Sequence, residues 1–256
     1  MFTNLIQILK EKFMTQPTEL SPIEKYRKHR VEMEKYFIAE NEAPNPKEVT
    51  SPSGKYRLVI TSYGTKPGCW NYSRGRVYAG ETLVSDVKRN YSSFEWAWAE
   101  GHPNGHDYLL CGEDYQGQTV IELDTGKRVD SGATEDTMKG FGFCWVRISP
   151  SPDKKVLAVD GCYWACPYEV VLFDFREPMK LPLPELERWD DVEEFDAWQT
   201  EGKLLLSRTV EVRKSDGKVL YDLPDEEMEK AEAAGDVEEK KLTKLWEPKS
   251  LTEVRP

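Results

Sequence analysis

From residue 50 onward, hydrophobic positions come in short runs of four to eight residues, each bounded by Gly, Pro, Asn or Asp. That punctuation predicts β-strands joined by tight reversals rather than long helices. Before it, Ser21-Pro22-Ile23-Glu24 predicts a helix start. The serine serves as N-cap, the proline takes the first helical position, and the glutamate reaches back in a capping box. Ile23, Tyr26, Met33 and Phe37 fall near one stripe, so this helix is expected to run to about Glu40 and to pack on its own core or on a partner. Beyond Leu223, Pro224 and Asp225 open a stretch rich in Glu, Lys and Ala, read as a helical tail broken near Gly235 and anchored by Leu242, Leu245 and Trp246. A late strand over 251–254 is a further expectation.

Self-comparison organises the middle of the chain. Ser51-Pro52-Ser53-Gly54 before a β-rich run recurs as His102-Pro103-Asn104-Gly105, as Ser151-Pro152-Asp153-Lys154, and around Gly202. Gly54, Gly105, Lys154 and Gly202 stand 51, 49 and 48 residues apart, a nearly constant step. Aromatic-bearing strands precede three of these turns, over 94–98, 143–148 and 195–198. Third strands follow over 119–123, 168–173 and 209–212, and the turns Asp124-Thr125-Gly126 and Ser215-Asp216-Gly217 lead to fourth strands. The first repeat shows no full first strand. Four antiparallel strands in about 50 residues is the unit of a propeller blade.

Ser151-Pro152-Asp153 followed by Val156-Leu157-Ala158 and a strand ending in Leu172-Phe173-Asp174 resembles the blades of WD-repeat and related propellers. The resemblance covers roughly residues 50–223 and lacks the Gly-His and Trp-Asp dipeptides. It implies a mainly β architecture of four degenerate four-stranded repeats with flanking N- and C-terminal helices, and no particular function. The expected divisions are a helical arm over 1–47, a β-repeat domain over 48–223 and an acidic helical tail over 224–256.

Composition narrows the partners. The 256 residues hold 46 acidic and 35 Lys or Arg side chains, a net charge of −11 that opposes nucleic acid and anionic membranes. Residues 2–9 are apolar but lack a basic leader and a cleavage site, and they are too short to span a bilayer. Met14 offers an alternative start. Five cysteines, an odd number, point to reduced thiols in a cytoplasmic setting.

Chemistry-bearing motifs are sparse. Cys162 and Cys166 have a C-x3-C spacing without the further ligands of a zinc knuckle. His29, His102 and His106 stand beside no recognisable nucleophile, and no phosphate-cradling loop is present. No catalytic residue, metal or cofactor is assigned. Strand order supplies a positive signal, because in a meander the loops joining second to third strands share one end of the molecule. Those loops are aromatic and acidic. The first carries Tyr63, Trp70 and Tyr72, the second Asp114 and Tyr115, the third Asp160, Tyr163 and Trp164, and the fourth is almost absent. Rings with polar edges make good binding anchors. The expected function is therefore a non-enzymatic scaffold holding a protein or peptide, with basic partners favoured. A hydrolase or carbohydrate-binding protein using the same face is the alternative.

Overall fold

A computed structural model describes residues 20–112, 118–132, 143–162, 168–190, 192, 194–199 and 202–247. The chain is mainly β, with four antiparallel sheets in chain order and a helix near each end, a propeller-like arrangement.

Helix α1, Pro22–Met33, starts where the capping box sets it. The Ser21 amide donates to Glu24 Oε2 at 2.8 Å, and the Glu24 amide donates to Ser21 Oγ at 3.3 Å. It ends earlier than the stripe predicts, passing into 3-10 turns at Glu34–Tyr36 and Ala39–Asn41. The first sheet follows as β1 (Lys47–Thr50), β2 (Tyr56–Tyr63), β3 (Tyr72–Ala79) and β4 (Thr82–Arg89). Here β1 corrects the expectation that the first repeat lacks its opening strand. Its Lys-Glu-Val-Thr sequence is too polar to read as a strand, yet its backbone pairs with β2 from Lys47↔Ile60 to Thr50↔Arg57.

The second sheet comprises β5 (Trp96–Ala99), β6 (Tyr108–Gly112), β7 (Gln118–Glu122) and β8 (Lys127–Ser131). The third comprises β9 (Cys144–Pro150), β10 (Val156–Cys162), β11 (Tyr168–Asp174) and β12 (Glu185–Trp189). Each of these three sheets is a four-stranded meander.

The four repeat positions share one backbone state. Gly54, Gly105, Lys154 and Gly202 all have left-handed φ, at 76°, 92°, 59° and 72°. In the first three, the amide at that position donates 2.9 Å to the carbonyl three residues back, on Ser51, His102 and Ser151. Those three residues are themselves buried. The recurring Pro-Gly signal therefore encodes a recurring turn.

Packing runs from sheet to sheet through strand alternation. On β6, Leu109 and Cys111 meet Tyr56, Leu58, Val77 and Val87 of the first sheet, while Tyr108 and Leu110 meet Leu157, Val159 and Val171 of the third. On β10, Val156 and Ala158 turn the other way, toward Leu204 and Leu206 of the fourth. Sheets buried on both faces need uninterrupted apolar runs, which is why β6 and β10 read as Tyr-Leu-Leu-Cys and Val-Leu-Ala-Val. The second and third sheets approach closely at Gly112, where an added Cβ would lie 2.3 Å from the Trp145 carbonyl oxygen. Only glycine fits there.

The fourth sheet departs from the repeat. It contains β13 (Glu194–Trp198), β14 (Leu204–Arg213) and β15 (Val237–Trp246), three strands among the described residues. Residues 209–212, expected to be a third strand, are the continuation of β14. The Ser215-Asp216-Gly217 hairpin forms, with the Gly217 amide 2.7 Å from the Arg213 carbonyl. Its return is a single Val212↔Val219 bridge followed by a 3-10 turn at Leu220–Asp222. Helix α2 spans only Asp225–Ala233, and Val237–Trp246 of the supposed helical tail is β15, paired with β14 through ten consecutive positions. Strand structure thus continues past Leu223 to Trp246. Tertiary pairing overrides the weak strand propensity of the Glu-Glu-Lys-Lys stretch. The link between second and third strands, expected to be almost absent here, is residues 214–236. The expected strand over 251–254 and the segment before Met14 lie outside the described residues. No described helix is long and apolar enough to cross a membrane.

Candidate functional site

The loop end of the molecule gathers the β2–β3 loop over 64–71, the β4–β5 link over 90–95 and the adjoining strand ends. The predicted residues do not share one fate. Tyr63 is fully buried, its ring 5.1 Å from Phe37 and its hydroxyl donating 3.0 Å to Glu42 Oε2. Tyr72, its cross-strand partner, is buried against Tyr36 at 5.3 Å and His29 at 6.4 Å. With Met33 these rings form the cluster that docks the N-terminal arm on its own first sheet. Two further ties hold the arm: the Ala43 amide donates 2.8 Å to the Ser62 carbonyl, and Lys88 pairs with Glu34. Tyr63 and Tyr72 therefore pack; they do not face solvent.

Trp70 is different. It is 49% exposed, yet its indole N–H donates 2.8 Å to the Asn90 carbonyl and Thr65 Oγ1 donates 2.7 Å to its own carbonyl. The ring is displayed and held. Its edge meets Tyr91 at 6.2 Å, and Tyr91 is 40% exposed. Tyr168, 42% exposed, opens β11 at the same end. Burial pushes the Tyr168 hydroxyl above its ordinary value, and Cys162, Asp160 and Tyr91 push in the same direction. Three half-exposed rings thus mark this end of the molecule, two on the first repeat and its link and one on the third.

Asp160 sits on β10 with its carboxylate 3.8 Å from Arg147, whose guanidinium lies 3.9 Å above the Phe195 ring. It is tied into the joint between the third and fourth sheets. Asp114, Tyr115, Tyr163 and Trp164 lie outside the described residues. Tyr91 and Tyr168 were not singled out from sequence. The signal was available, since links between repeats emerge at the same end as the second-to-third loops, as does the start of every third strand.

Two grooves flank this region and the fourth sheet. One, of about 320 Å³, lies between α1 and the 64–71 loop and has Trp70 in its wall. The other, of about 390 Å³, is created by residues 214–236 against β14, with Leu220 and Met228 among its lining and Asp190, Asp222 and Glu232 around Arg208. The histidines serve the fold. His102 is buried, its Nδ1 accepts from the Asn104 amide at 3.2 Å, and its Nε2 therefore donates to the Phe175 carbonyl at 2.9 Å. Among the described residues, no group of three or more His, Cys, Asp or Glu side chains is placed to hold a metal. Among the described cysteines Cys69 is exposed, and Cys111, Cys144 and Cys162 are buried.

No family model matches the chain. It is 32% identical over 202 residues to the uncharacterized protein R762 of Acanthamoeba polyphaga mimivirus, an alignment covering 75% of this chain and 78% of that protein. Identity at this level across most of both chains is that of relatives sharing one fold. The chain belongs to the same family as the mimivirus protein R762.

Proposed function

We propose that this protein is a non-enzymatic interaction scaffold of the WD-repeat-like propeller type, taking a peptide or protein on its loop end. The observation that carries the reading is the set of half-exposed rings Trp70, Tyr91 and Tyr168. Exposed aromatic area is costly to leave in water, and a ring held by a hydrogen bond loses little entropy on contact. Rigid aromatic anchors of this kind dominate measured binding energies. The net charge of −11 favours encounter with basic partners. An odd number of cysteines, five, suits a reducing, cytoplasmic setting.

The test is a triple variant, Trp70→Ala, Tyr91→Ala and Tyr168→Ala, used beside the parent chain to capture proteins from the native host. The expected result is a variant that folds with a parent-like circular dichroism spectrum and loses the captured partner. A variant that folds and still captures the same partner places recognition elsewhere and rejects the reading. If the three changes unfold the chain, single substitutions with melting curves separate a ring that packs from one that binds.

A further inference from the structure

The groove beside Trp70 carries a charge opposite to that of the whole molecule. Its buried lining is Met33 and Tyr72, and Tyr36 and Trp70 extend that apolar surface outward. Lys35 and Lys66 stand exposed at its edge. Neither has an ion-pair partner among the described residues. Lys35 only overhangs the Tyr36 ring at 5.2 Å. Nearby cations are engaged with acids: Arg57 with Glu48, Arg74 with Asp86, Arg76 with Glu42 and Lys88 with Glu34. The carboxylate lining the groove, Glu32, is already within 3.9 Å of Lys28. His29 adds no negative charge. In a chain with 46 acidic and 35 Lys or Arg side chains, two unengaged lysines over one apolar groove run against the background.

We propose that this groove docks an acidic segment of a partner protein, with one apolar side chain seated against Tyr36 and Trp70 and flanking carboxylates on Lys35 and Lys66. The inference rests on the peptide-binding reading and specifies the chemistry of one part of that surface. A volume of about 320 Å³ falls at the small end of ligand pockets, enough for one or two side chains rather than a large cofactor. The lysine stems can lie along the apolar wall while their ammonium groups stay in water to meet carboxylates. Opposite charge at such a rim sets which partner is admitted more than it sets total affinity. The net charge of the protein would favour a basic partner, and the local charge of the groove selects against one.

The experiment is fluorescence polarisation of two labelled hexapeptides on the full chain, Glu-Glu-Leu-Phe-Glu-Glu and its twin Lys-Lys-Leu-Phe-Lys-Lys. The acidic peptide is expected to bind at least about tenfold more tightly at low salt and to lose that advantage as salt screens the lysines. The double variant Lys35→Glu and Lys66→Glu changes only exposed side chains, so its melting curve should match the parent while the preference disappears or reverses. A preference for the basic peptide, an acidic peptide indifferent to the charge reversal, or no binding of either up to about 1 mM overturns the inference. If the lysine changes do nothing while the aromatic changes abolish capture of the native partner, this inference fails and the aromatic reading stands.

Discussion

The two ends of the β-domain are built from the same repeat and differ in how much aromatic surface they leave to solvent. At the turn end, each repeat is pinned to the next. Ser51 Oγ donates 2.8 Å to Glu100 of the second repeat, and Lys55 and Tyr56 both reach Asp107. His102 holds the Phe175 carbonyl of the third repeat, and the Trp198 indole donates 3.1 Å to the Ser149 carbonyl. The loop end also joins sheets, with buried Arg89 reaching the Gly112 carbonyl and Gln118 the Phe143 carbonyl, but there Trp70, Tyr91 and Tyr168 stay half exposed. A repeat offers two sets of connections, and here both join sheets while one of them also displays rings to solvent. Short turns with strict backbone demands suit the first task, and longer loops tolerate the second.

The sharpest way to break this contrast is His102→Ala. The side chain is buried, bonds across repeats and packs 5.4 Å from both Tyr108 and Phe175. A loss of about 3 kcal/mol in denaturant unfolding is expected, with peptide binding by the folded fraction unchanged. Trp70→Ala should show the reverse. Binding should weaken by about 2 kcal/mol or more, while stability falls by about 1 kcal/mol, the scale of one partly exposed ring and one hydrogen bond. Calorimetric titration beside a melting curve separates the two, and a stability loss equal to that of His102→Ala would erase the distinction between the ends.

A smaller effect tests the turns themselves. Gly54 and Lys154 hold the same left-handed backbone, one with glycine and one without. Gly54→Ala should cost about 1 kcal/mol, because a Cβ is strained at φ 76° although nothing crowds it. Lys154→Gly should instead raise stability by less than about 1 kcal/mol, since relief of strain is partly offset by a freer unfolded chain. Equal losses at both sites would mean the turns are not equivalent.

The smallest effect is a dependence on pH. His106 Nδ1 lies 2.7 Å from Asp124 Oδ2, and that hydrogen bond raises the imidazole above its ordinary range. A raised folded value means the stabilisation is fully present below the unfolded imidazole's value, about 6.5, and fades as pH climbs through the higher folded one. Melting temperatures of the parent and of His106→Gln should differ most below about pH 6 and converge as pH rises. A gap that widens with pH would give the interaction the wrong sign.

The turns were readable because Gly, Pro and Asp report backbone conformation directly, and Gly54, Gly105, Lys154 and Gly202 do so at a constant step. The fourth sheet was not readable. Ser215-Asp216-Gly217 forms a genuine hairpin and so mimics a regular repeat, while the strand that completes the sheet, β15, is mostly charged and exposed. What makes it a strand is ten positions of pairing with β14, and that information lies in a partner, not in β15 itself. The candidate surface divides in the same way. Trp70 is a loop aromatic and was legible as one. Tyr63 and Tyr72 close the loop as cross-strand neighbours, and their burial depends on α1 docking over them, which neither strand encodes. Tyr91 and Tyr168 follow the same end-of-sheet rule and were passed over because one sits in a link and the other opens a strand.

The chain-order packing of the sheets has a consequence during synthesis. Each sheet is built from residues close in sequence, so it can assemble as soon as its own segment leaves the ribosome. One face of it then waits. Leu58, Val77 and Val87 remain uncovered until Leu109 and Cys111 arrive, and Leu157 and Val159 can be met at once by Tyr108 and Leu110 already in place. The growing molecule therefore always carries one unfinished apolar face, passed forward from repeat to repeat. The last sheet ends that sequence differently, because β14 must wait through residues 214–236 before β15 can pair with it. A ribosome that pauses within that stretch holds a nascent chain whose final sheet is still missing its edge.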